Sequence, residues 1–514
     1  MKSLSILIVA PALLVASAAH AQSNDKAPQD APPQEPPPAP SAPPPPSAPP
    51  PPPASQPESA AQQSKDLTPP LILPTRDKAP INPVNPWFIR PPFQLGAGSG
   101  WNLTIYGFAE ADYMEDSTRS FNDGLNSNVI AHDGTQAGSN PRAQFTIRNS
   151  RLGFKAAAPE AGGIRTTGVL EFDLFGNQPT TVSEAAYFNN PTFRVRHAYV
   201  KMEDSVVDVL AGQMYHLLGW QNYFFGSSAA FLGLPNELFN RTAQLRLSHT
   251  FESDAVNFDI AAAAFRPVQR DSALPDGEGG LRLAVNHWKG ITTPGSGGTG
   301  ALPAAIGVSG LVRAFKVDPL AKLPAPSINQ TGWAFAADAL IPIIPAVDST
   351  DRGNALTLTG EFTVGTADAD QFTGMTAGAS MPTALPVPAG AAAGTVGAAY
   401  TADVDSGLVA FDPSGIVHTI NWRTITAGFQ YYLPPTGRVF ITGNYTQGDS
   451  TNIQSLFPNK TNVFKSSKYA DGNIFFDVTP TVRVGASFQY VTQTFTDNTS
   501  AHNNREEVLA LYFF

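Results

Sequence analysis

The chain has 514 residues, with 32 Lys or Arg against 42 Asp or Glu, and therefore a formal net charge of -10. This acidic balance argues against a nucleic-acid-binding protein, and the lack of cysteine excludes disulfides and Cys-ligated metal sites. Only 14% of the residues are charged, below the figure of about a quarter in soluble domains, while 10% are aromatic.

The N-terminus has the three parts of a secretory signal peptide. Lys2 supplies the positive charge, residues 4–16 are largely apolar, and Ala19, His20 and Ala21 fit the A-x-A cleavage rule. The apolar stretch is too short for a membrane anchor, which needs about 20 residues. We therefore predict that residues 1–21 direct export and are then removed.

Residues 22–100 form a Pro-rich segment. Its repeated prolines favour the polyproline II conformation at about 3.1 Å per residue, so that roughly eighty residues could reach on the order of 200 Å. The simpler interpretation is a disordered periplasmic spacer. The alternative is an arm that reaches peptidoglycan or a periplasmic partner.

From Trp101 onward, apolar and polar residues alternate with a period of two, which indicates β-strands. In the first of them, Leu103 and Ile105 fall on one face while Glu110 and Asp112 fall on the other. The sixteen predicted strands are 103–113, 146–156, 169–175, 193–201, 206–215, 243–249, 256–265, 280–288, 306–317, 332–341, 356–364, 421–433, 438–447, 468–478, 482–493 and 505–514.

Short and long connections alternate between these strands. Seven turns are predicted on the side that also holds both chain ends, although two of them, 289–303 and 342–353, are longer than a tight turn. Eight long loops are predicted on the other side, at 114–142, 176–191, 216–240, 267–279, 318–330, 366–418, 448–463 and 495–503. Sixteen antiparallel strands require this arrangement.

A barrel in a membrane explains both patterns. A soluble antiparallel protein would bury its apolar face, whereas here the polar faces carry charges and amides in strand after strand. That suits a water-filled lumen and a lipid-facing exterior, and only a closed sheet pairs every backbone group in lipid. The predicted fold is all-β: a 16-stranded antiparallel transmembrane β-barrel over residues 101–514, preceded by the Pro-rich disordered periplasmic arm.

Several motifs in this region resemble a known family. IYGFAEADY and SRLGFKA resemble the first two strands of Gram-negative porins, and LEFDLFG, FRVRHAYVKM, LAGQMYHLLG and RTAQLRLSH follow in the order typical of DcaP-like porins. The resemblance covers residues 101–514. It implies a homotrimer in the outer membrane of a Gram-negative bacterium that passes small, often anionic, solutes. Pro-rich sequence stands where the family has a periplasmic coiled-coil segment.

Strand parity places eight arginines on the inward, polar face. They are Arg151, Arg165, Arg194, Arg196, Arg246, Arg282, Arg313 and Arg483. The first five lie on the second, third, fourth and sixth predicted strands, so one wall would be basic. A guanidinium group binds carboxylate or phosphate with two parallel hydrogen bonds, and charged ladders select the sign of a permeating ion. We assign Arg151 and Arg246 to anion binding, because neither has an obvious adjacent partner. The alternative is that Glu110 and Asp112 of the first strand oppose them across the pore or pair with Arg151.

Arg194 and Arg196 have a second interpretation. Counted from the 176–191 loop, Asp173 can face Arg194 and Glu171 can face Arg196 on the neighbouring strand. Such ion pairs would hold the wall together rather than attract solutes. The sequence leaves both interpretations open for these two arginines.

The 216–240 loop follows the fifth strand, as the inward-folded constriction loop does in porins. It holds one acidic residue, Glu237, and several aromatic residues, including Trp220, Tyr223 and Phe224. An apolar constriction that faces arginines would weaken a preference for cations. The alternative, which we favour for most of the aromatic residues, is that they pack the loop against the wall.

The chain ends on the hydrophobic strand EEVLALYFF. Apolar residues alternate at Val508, Ala510, Tyr512 and Phe514. An unpaired strand of this kind would invite aggregation, whereas pairing with the first strand would close the barrel. These four residues also resemble the signal read by the barrel-assembly machinery, which we expect to be a partner.

The function predicted from the sequence is an outer-membrane diffusion channel for small hydrophilic solutes, with a possible preference for anions such as dicarboxylates. Outer-membrane lipid and lipopolysaccharide are expected partners, and no enzyme activity, cofactor or metal is expected. One alternative is a structural barrel that tethers the Pro-rich arm to the cell wall or a partner. A further alternative is an outer-membrane barrel enzyme.

Overall fold

The structure is a computed structural model of the chain, which divides into the units Met1–Leu73 and Pro74–Phe514. It describes residues 93–95, 100–125, 129–176, 191–220, 233–269, 272, 274–293, 299–321, 324–346, 348–350, 352–379, 381–387, 389–412 and 414–514. The predicted signal peptide and most of the Pro-rich segment lie outside these ranges.

The described residues form twenty β-strands. They are β1 (Phe93–Leu95), β2 (Asn102–Asp116), β3 (Arg142–Thr146), β4 (Arg151–Ala157), β5 (Arg165–Asp173), β6 (Arg194–Glu203), β7 (Asp208–Tyr215), β8 (Arg241–Glu252), β9 (Val256–Phe265), β10 (Asp276–Thr292), β11 (Gly300–Val317), β12 (Ile328–Ile344), β13 (Leu356–Thr366), β14 (Val409–Phe411), β15 (Val417–Thr419), β16 (Asn421–Tyr432), β17 (Val439–Ser450), β18 (Phe464–Thr479), β19 (Val482–Phe495) and β20 (Ser500–Phe513).

Seventeen of these elements close into an antiparallel barrel of sixteen wall strands, as predicted. Each strand pairs with the next, and β20 pairs with β2, so the wall has no free edge. Strands β3 and β4 both pair with β2 and count as one interrupted wall strand. The remaining strands are β1 and the small hairpin of β14 and β15, which belongs to the loop between β13 and β16.

The barrel wall differs in height around its circumference. We call the side of β4 to β8 the low wall and the side of β10 to β12 the high wall. Strands β4 to β7 have only seven to ten residues, whereas β10, β11 and β12 have 17, 18 and 17. The predicted strands at 280–288, 306–317 and 332–341 were too short, because Gly and Pro residues at their ends hide the alternation. The connection predicted at 289–303 accordingly shrinks to 293–299.

Side chains alternate across the wall with the apolar face outward. On β8, Leu245 and Leu247 are 52% and 48% exposed on the outer face, whereas Gln244 and Arg246 are buried inside. The last strand follows the same rule, because Val508, Ala510, Tyr512 and Phe514 all point outward. An antiparallel sheet with this polarity has its polar groups around the lumen and its apolar groups outside.

Strand β1 lies within the segment predicted to be the arm. It pairs with residues 103–105 of β2. The same edge of β2 pairs with β20 from Phe108 onward, where Phe513 is opposite Phe108. Phe514 and Gly107 exchange two backbone hydrogen bonds of 3.1 Å at this point. β1 therefore continues the pairing of β2 past the end of the chain.

A second connection is also shorter than predicted. The loop expected at 495–503 is a tight turn of residues 496–499, because β20 begins at Ser500. Helices are few in the part of the chain that the structure describes: the 3₁₀ turns Ala369–Gln371 and Met375–Gly378 and the α-helix Ile453–Leu456. None of them is long and apolar enough to cross a membrane.

Candidate pore constriction

The loop between β7 and β8, residues 216–240, folds into the lumen, and two of its parts are described. The first limb, residues 216–220, is fixed to the high wall. The backbone N–H groups of Leu217 and Leu218 donate to Glu278 Oε2 of β10 at 2.7 and 2.9 Å. The N–H of Gly219 donates to Ser309 Oγ of β11 at 3.0 Å. Buried donors of the loop are thus satisfied by the wall.

Trp220 ends this limb and is fully buried against the wall. Its indole Nε1 donates to the carbonyl of Val308 at 3.0 Å. The ring lies over Gly280 and Gly307 of β10 and β11, where a Cβ would approach it to 2.6 and 3.0 Å. The Arg282 guanidinium lies 5.7 Å from the ring centroid. Trp220 therefore anchors the loop, as the packing interpretation holds.

Two other predicted loop residues, Tyr223 and Phe224, lie outside the described residues. The second limb, residues 233–240, reaches the far wall. Asn236 Nδ2 donates to Thr446 Oγ1 of β17 and to the Ser467 carbonyl of β18, both at 3.2 Å. Going round the sheet, β17 is the eighth strand after β7, which is the opposite side of a barrel of sixteen. The loop thus crosses the lumen.

A second inward loop, residues 367–420, packs on this limb. The N–H of Asn236 donates to the carbonyl of Thr373 at 3.0 Å, and the N–H of Thr373 donates to the carbonyl of Glu237 at 2.9 Å. Apolar residues of both loops join one buried cluster with the inner face of the high wall. Its members include Leu218, Leu234, Leu238, Leu311, Phe315, Phe372, Met375, Leu408 and Trp422. The loops have a hydrophobic core of their own.

Glu237 is the predicted acidic residue of the constriction loop, and it is 2% exposed. Its Oε2 accepts a 2.6 Å hydrogen bond from the N–H of Leu234. Burial and the nearby Glu361 carboxyl raise the pKa of Glu237 well above its usual range. The side chain is therefore uncharged under conditions in which an exposed glutamate is ionised.

Arg194 and Arg196 on β6 both contact carboxylates of β5. Arg196 Nε donates to Glu171 Oε1 at 2.8 Å, and its Nη1 donates to Asp173 Oδ2 at 3.2 Å. Arg194 Nε donates to Asp173 Oδ1 at 3.0 Å. A bulge in the β5–β6 pairing after Glu171 places His197 directly opposite Glu171. Arg196, the residue before His197, contacts both carboxylates. The ion pairs considered in the sequence interpretation are present in this geometry.

The expectation that Arg151 has no adjacent partner was wrong. Its Nε lies 3.7 Å from Glu171 Oε1, and its guanidinium lies 5.1 Å from the Phe108 ring centroid. The sequence prediction counted positions outward from the 176–191 loop, which relates only the third and fourth predicted strands. It could not show that β4 pairs with β5 so that Arg151 lies opposite Asp173, two residues from Glu171. Arg246 differs, since the acceptors of its hydrogen bonds are neutral: Gln244 Oε1 at 2.9 Å and the Tyr215 carbonyl at 2.7 Å.

The other predicted arginines lie elsewhere in the barrel. Arg282 pairs with Asp259 at 2.8 Å, and Arg165 is half-buried at the start of β5. Arg313 pairs with Asp276 and Asp370 at 3.2 and 2.5 Å, and Arg483 pairs with Asp477 at 2.6 Å. These four do not extend the basic wall.

Arg241 is a member of the basic wall that the sequence prediction missed. Its guanidinium lies 5.3 Å from the ring centroids of both Tyr215 and Phe239. Parity counted from Gln244 and Arg246 assigns it to the outer face, but it begins β8, where the chain turns into the inward loop. An arginine between two aromatic residues at a strand end is the signal that could have found it.

Five guanidinium groups therefore gather on the low wall, and we call them the basic patch. They belong to Arg151, Arg194, Arg196, Arg241 and Arg246. Arg151, Arg194 and Arg196 form ion pairs with Glu171 and Asp173, and the Glu278 carboxylate interacts electrostatically with Arg246. Five guanidinium groups against these three carboxylates leave the patch a formal excess of positive charge. Guanidinium groups of this kind are suited to binding carboxylate or phosphate groups.

The barrel is similar to solved outer-membrane porins. The outer membrane channel DcaP of Acinetobacter baumannii has a TM-score of 0.55 and 15% sequence identity, covering 83% of this chain and 100% of that one. An anion-selective porin from Comamonas acidovorans has a TM-score of 0.44 and 9% identity, covering 80% and 100%. OmpF of Salmonella typhi has a TM-score of 0.46 and 10% identity, covering 82% and 100%.

No protein-family model matches the sequence, and no curated protein matches it either. The similarity to DcaP shows the fold, and it agrees with the sixteen-stranded barrel built above from strand pairing.

Proposed function

We propose that the chain is a diffusion channel of the Gram-negative outer membrane for small hydrophilic solutes. The observation that carries this proposal is the closed wall of sixteen strands with apolar side chains outside and polar side chains inside. Such a wall can stand in lipid and surround water. The loop that crosses its lumen narrows the passage, which is what a selective channel needs.

We propose further that the channel favours anions, with small carboxylates and dicarboxylates as its solutes. The excess positive charge of the basic patch supports this, since charged groups that line a pore select ions by sign. Arg194 and Arg196 also hold the wall together through Glu171 and Asp173, whereas the hydrogen bonds of Arg246 go to neutral groups. Burial and Glu361 raise the pKa of Glu237, which reduces the opposing negative charge that it adds.

The reversal potential of the channel in a planar bilayer under a salt gradient tests this proposal. We expect an anion preference in the unchanged protein, and we expect Arg246→Ala and Arg151→Ala to move the reversal potential toward that of a cation channel. Arg423→Ala is the matched control, because Arg423 is an arginine of the outer face and 57% of its side chain is exposed. A clear cation preference that persists in both inward variants would end the proposal.

The proposal includes the partners expected from the sequence: a homotrimer of the DcaP-like type, the barrel-assembly machinery and the lipids of the outer leaflet. One surface supports the lipid contact. Outward Tyr445 and Tyr490 have the position of an aromatic girdle, and Arg423 and Lys468 lie beyond them on the side of the long loops. Cations at that level suit the phosphate groups of lipopolysaccharide.

A further inference from the structure

Two carboxyl groups face each other beneath the constriction loop. Asp338 of β12 and Glu361 of β13 are direct partners in the sheet, and they are 4% and 3% exposed on its inner face. The side chains of such pairs lie about 5 Å apart, and these two carboxyls interact with each other. Neither forms an ion pair within the part of the chain that the structure describes, and Arg282, in the same row of the sheet as Asp338, pairs with Asp259 instead.

Both limbs of the loop lie on this carboxyl pair. In the first limb, Gly219 is so close that a Cβ would lie 2.9 Å from Glu361 Oε2, and its φ of +70° also favours glycine. The backbone N–H of Trp220 interacts with the Asp338 carboxyl. In the second limb, the N–H of Leu238 donates to Glu361 Oε1 at 3.5 Å. The pair thus joins the two described ends of the loop.

Glu237 adds a third carboxyl to the cluster. It is buried beside Glu361, and its Oε1 accepts no hydrogen bond within the described residues. Two buried carboxylates at this distance cannot both ionise without a large cost, and a third raises that cost further. The cluster is therefore stable only while it holds protons.

We propose that Asp338, Glu361 and Glu237 form a proton-dependent latch, which holds both limbs of the 216–240 loop across the lumen and releases them when the cluster ionises. The latch adds regulation to the channel function proposed above, although its geometry stands apart from ion selectivity. At neutral and acidic pH the loop stays in place. At alkaline pH the limbs move away and water enters beside the carboxylates.

The direction of the pH effect follows from the raised pKa of Glu237. A carboxyl whose pKa is raised by folding stabilises the folded loop in its protonated form. That contribution is complete below the ordinary value of 4.5 and is lost as the pH rises through the raised value. The latch therefore opens on the alkaline side.

The surrounding charges do not reverse this direction. The loop 367–420 contributes Asp370, which is compensated by Arg313, and Asp368, whose pKa is raised by burial and by Asp370. On β10, Glu278 lies 3.2 Å from Nδ1 of His216 and accepts backbone N–H groups of the first limb. On the same strand, Arg282 lies in the sheet row of Asp338 and is compensated by Asp259 at 2.8 Å. These neighbours leave the direction set by the carboxyl cluster unchanged.

Thiol labelling tests the latch, since the chain has no cysteine of its own. Ser309→Cys places a thiol under the first limb, at a side chain that is 4% exposed and accepts the Gly219 N–H. A water-soluble thiol reagent would reach it only when the limb moves. Ser205→Cys, in the exposed turn between β6 and β7, corrects for the pH dependence of the reagent itself. Labelling reports on the loop whether or not the barrel conducts ions.

We expect the corrected labelling rate of Ser309→Cys to rise as the pH is raised, by about tenfold for each pH unit and each proton released. Asp338→Asn, Glu361→Gln and Glu237→Gln together should make the rate independent of pH, and Glu237→Gln alone should shift its rise to higher pH. Glu203→Gln is the matched control, because Glu203 is paired with Lys201 at the far end of β6. A flat rate in the Ser309→Cys protein, or a rise that survives the Asn and Gln substitutions, would overturn the latch.

Discussion

A substitution beneath the Trp220 ring is the change in the constriction loop whose effect follows most directly from the structure. In Gly280→Ala, the new Cβ would lie 2.6 Å from Cζ2 and 2.7 Å from Cε2 and Nε1 of the indole. No real Cβ contact is that short, so the ring must move by about an ångström. Overpacking of this kind costs about 1–3 kcal/mol.

The cost falls on the docking of the first limb, because Trp220 is its main anchor. The indole contributes a buried hydrogen bond to Val308, worth about 0.5–1.5 kcal/mol, and a contact with Arg282 worth roughly 0.5–1 kcal/mol. Removing the whole ring in Trp220→Ala should cost about 3–5 kcal/mol. A change of about 2 kcal/mol shifts the ratio of docked to released limb by more than tenfold.

Single-channel recording in a planar bilayer measures this effect. We expect Gly280→Ala and Trp220→Ala to show higher current noise and additional conductance levels, because the first limb leaves the wall part of the time. Gly279→Ala is the matched control: it lies on the same strand, and the nearest atom to its Cβ is a carbonyl oxygen at 3.9 Å. If Gly280→Ala records like Gly279→Ala, the anchoring role of Trp220 is refuted.

Two further predictions concern the wall. A stop codon before Tyr512 removes the mutual backbone hydrogen bonds of Phe514 and Gly107, and in lipid each unpaired group costs several kcal/mol; we expect no membrane insertion, and normal amounts of assembled barrel in membrane fractions would contradict this. Arg196→Ala leaves two buried carboxylates short of a partner and should destabilise the barrel by about 3–5 kcal/mol. Arg246→Ala should cost less, about 1.5–3 kcal/mol, because its partners are neutral; equal thermal unfolding of the two variants would contradict the assigned contacts.

The strands of the wall could be predicted from the sequence because the alternation of apolar and polar residues involves only neighbouring residues of the chain. Alternation along each strand decides which side chains face outward, and Val508 and Tyr512 obey it as Leu245 and Leu247 do. Closure also follows, since a long apolar strand at the end of the chain needs a partner and β2 offers the matching edge.

The constriction could not be predicted in the same way, because its contacts join residues far apart in the chain. Strand parity gave Arg196 the correct face but not the bulge that lets it reach two carboxylates. The sequence analysis favoured packing for most of the aromatic residues of the loop. The packing site of Trp220, however, depends on the register of β10 and β11, which brings Gly280 and Gly307 together against its ring. In the sequence, the carboxyls of β12 and β13 cannot be distinguished from other polar residues of the lumen face. Only the structure shows their contacts with the 216–240 loop.

The fold separates two properties of the proposed channel in space. Both described limbs of the 216–240 loop are attached to the high wall and to β17 and β18, whereas the basic patch lies on β4, β6 and β8 of the low wall. Movement of the limbs changes the width of the passage without removing any arginine. Replacing an arginine such as Arg246 changes the charge of the passage without touching these anchors. Variants of the patch should therefore move the reversal potential, variants of Gly280 and of the carboxyl latch should move the conductance, and a double variant should show both effects additively.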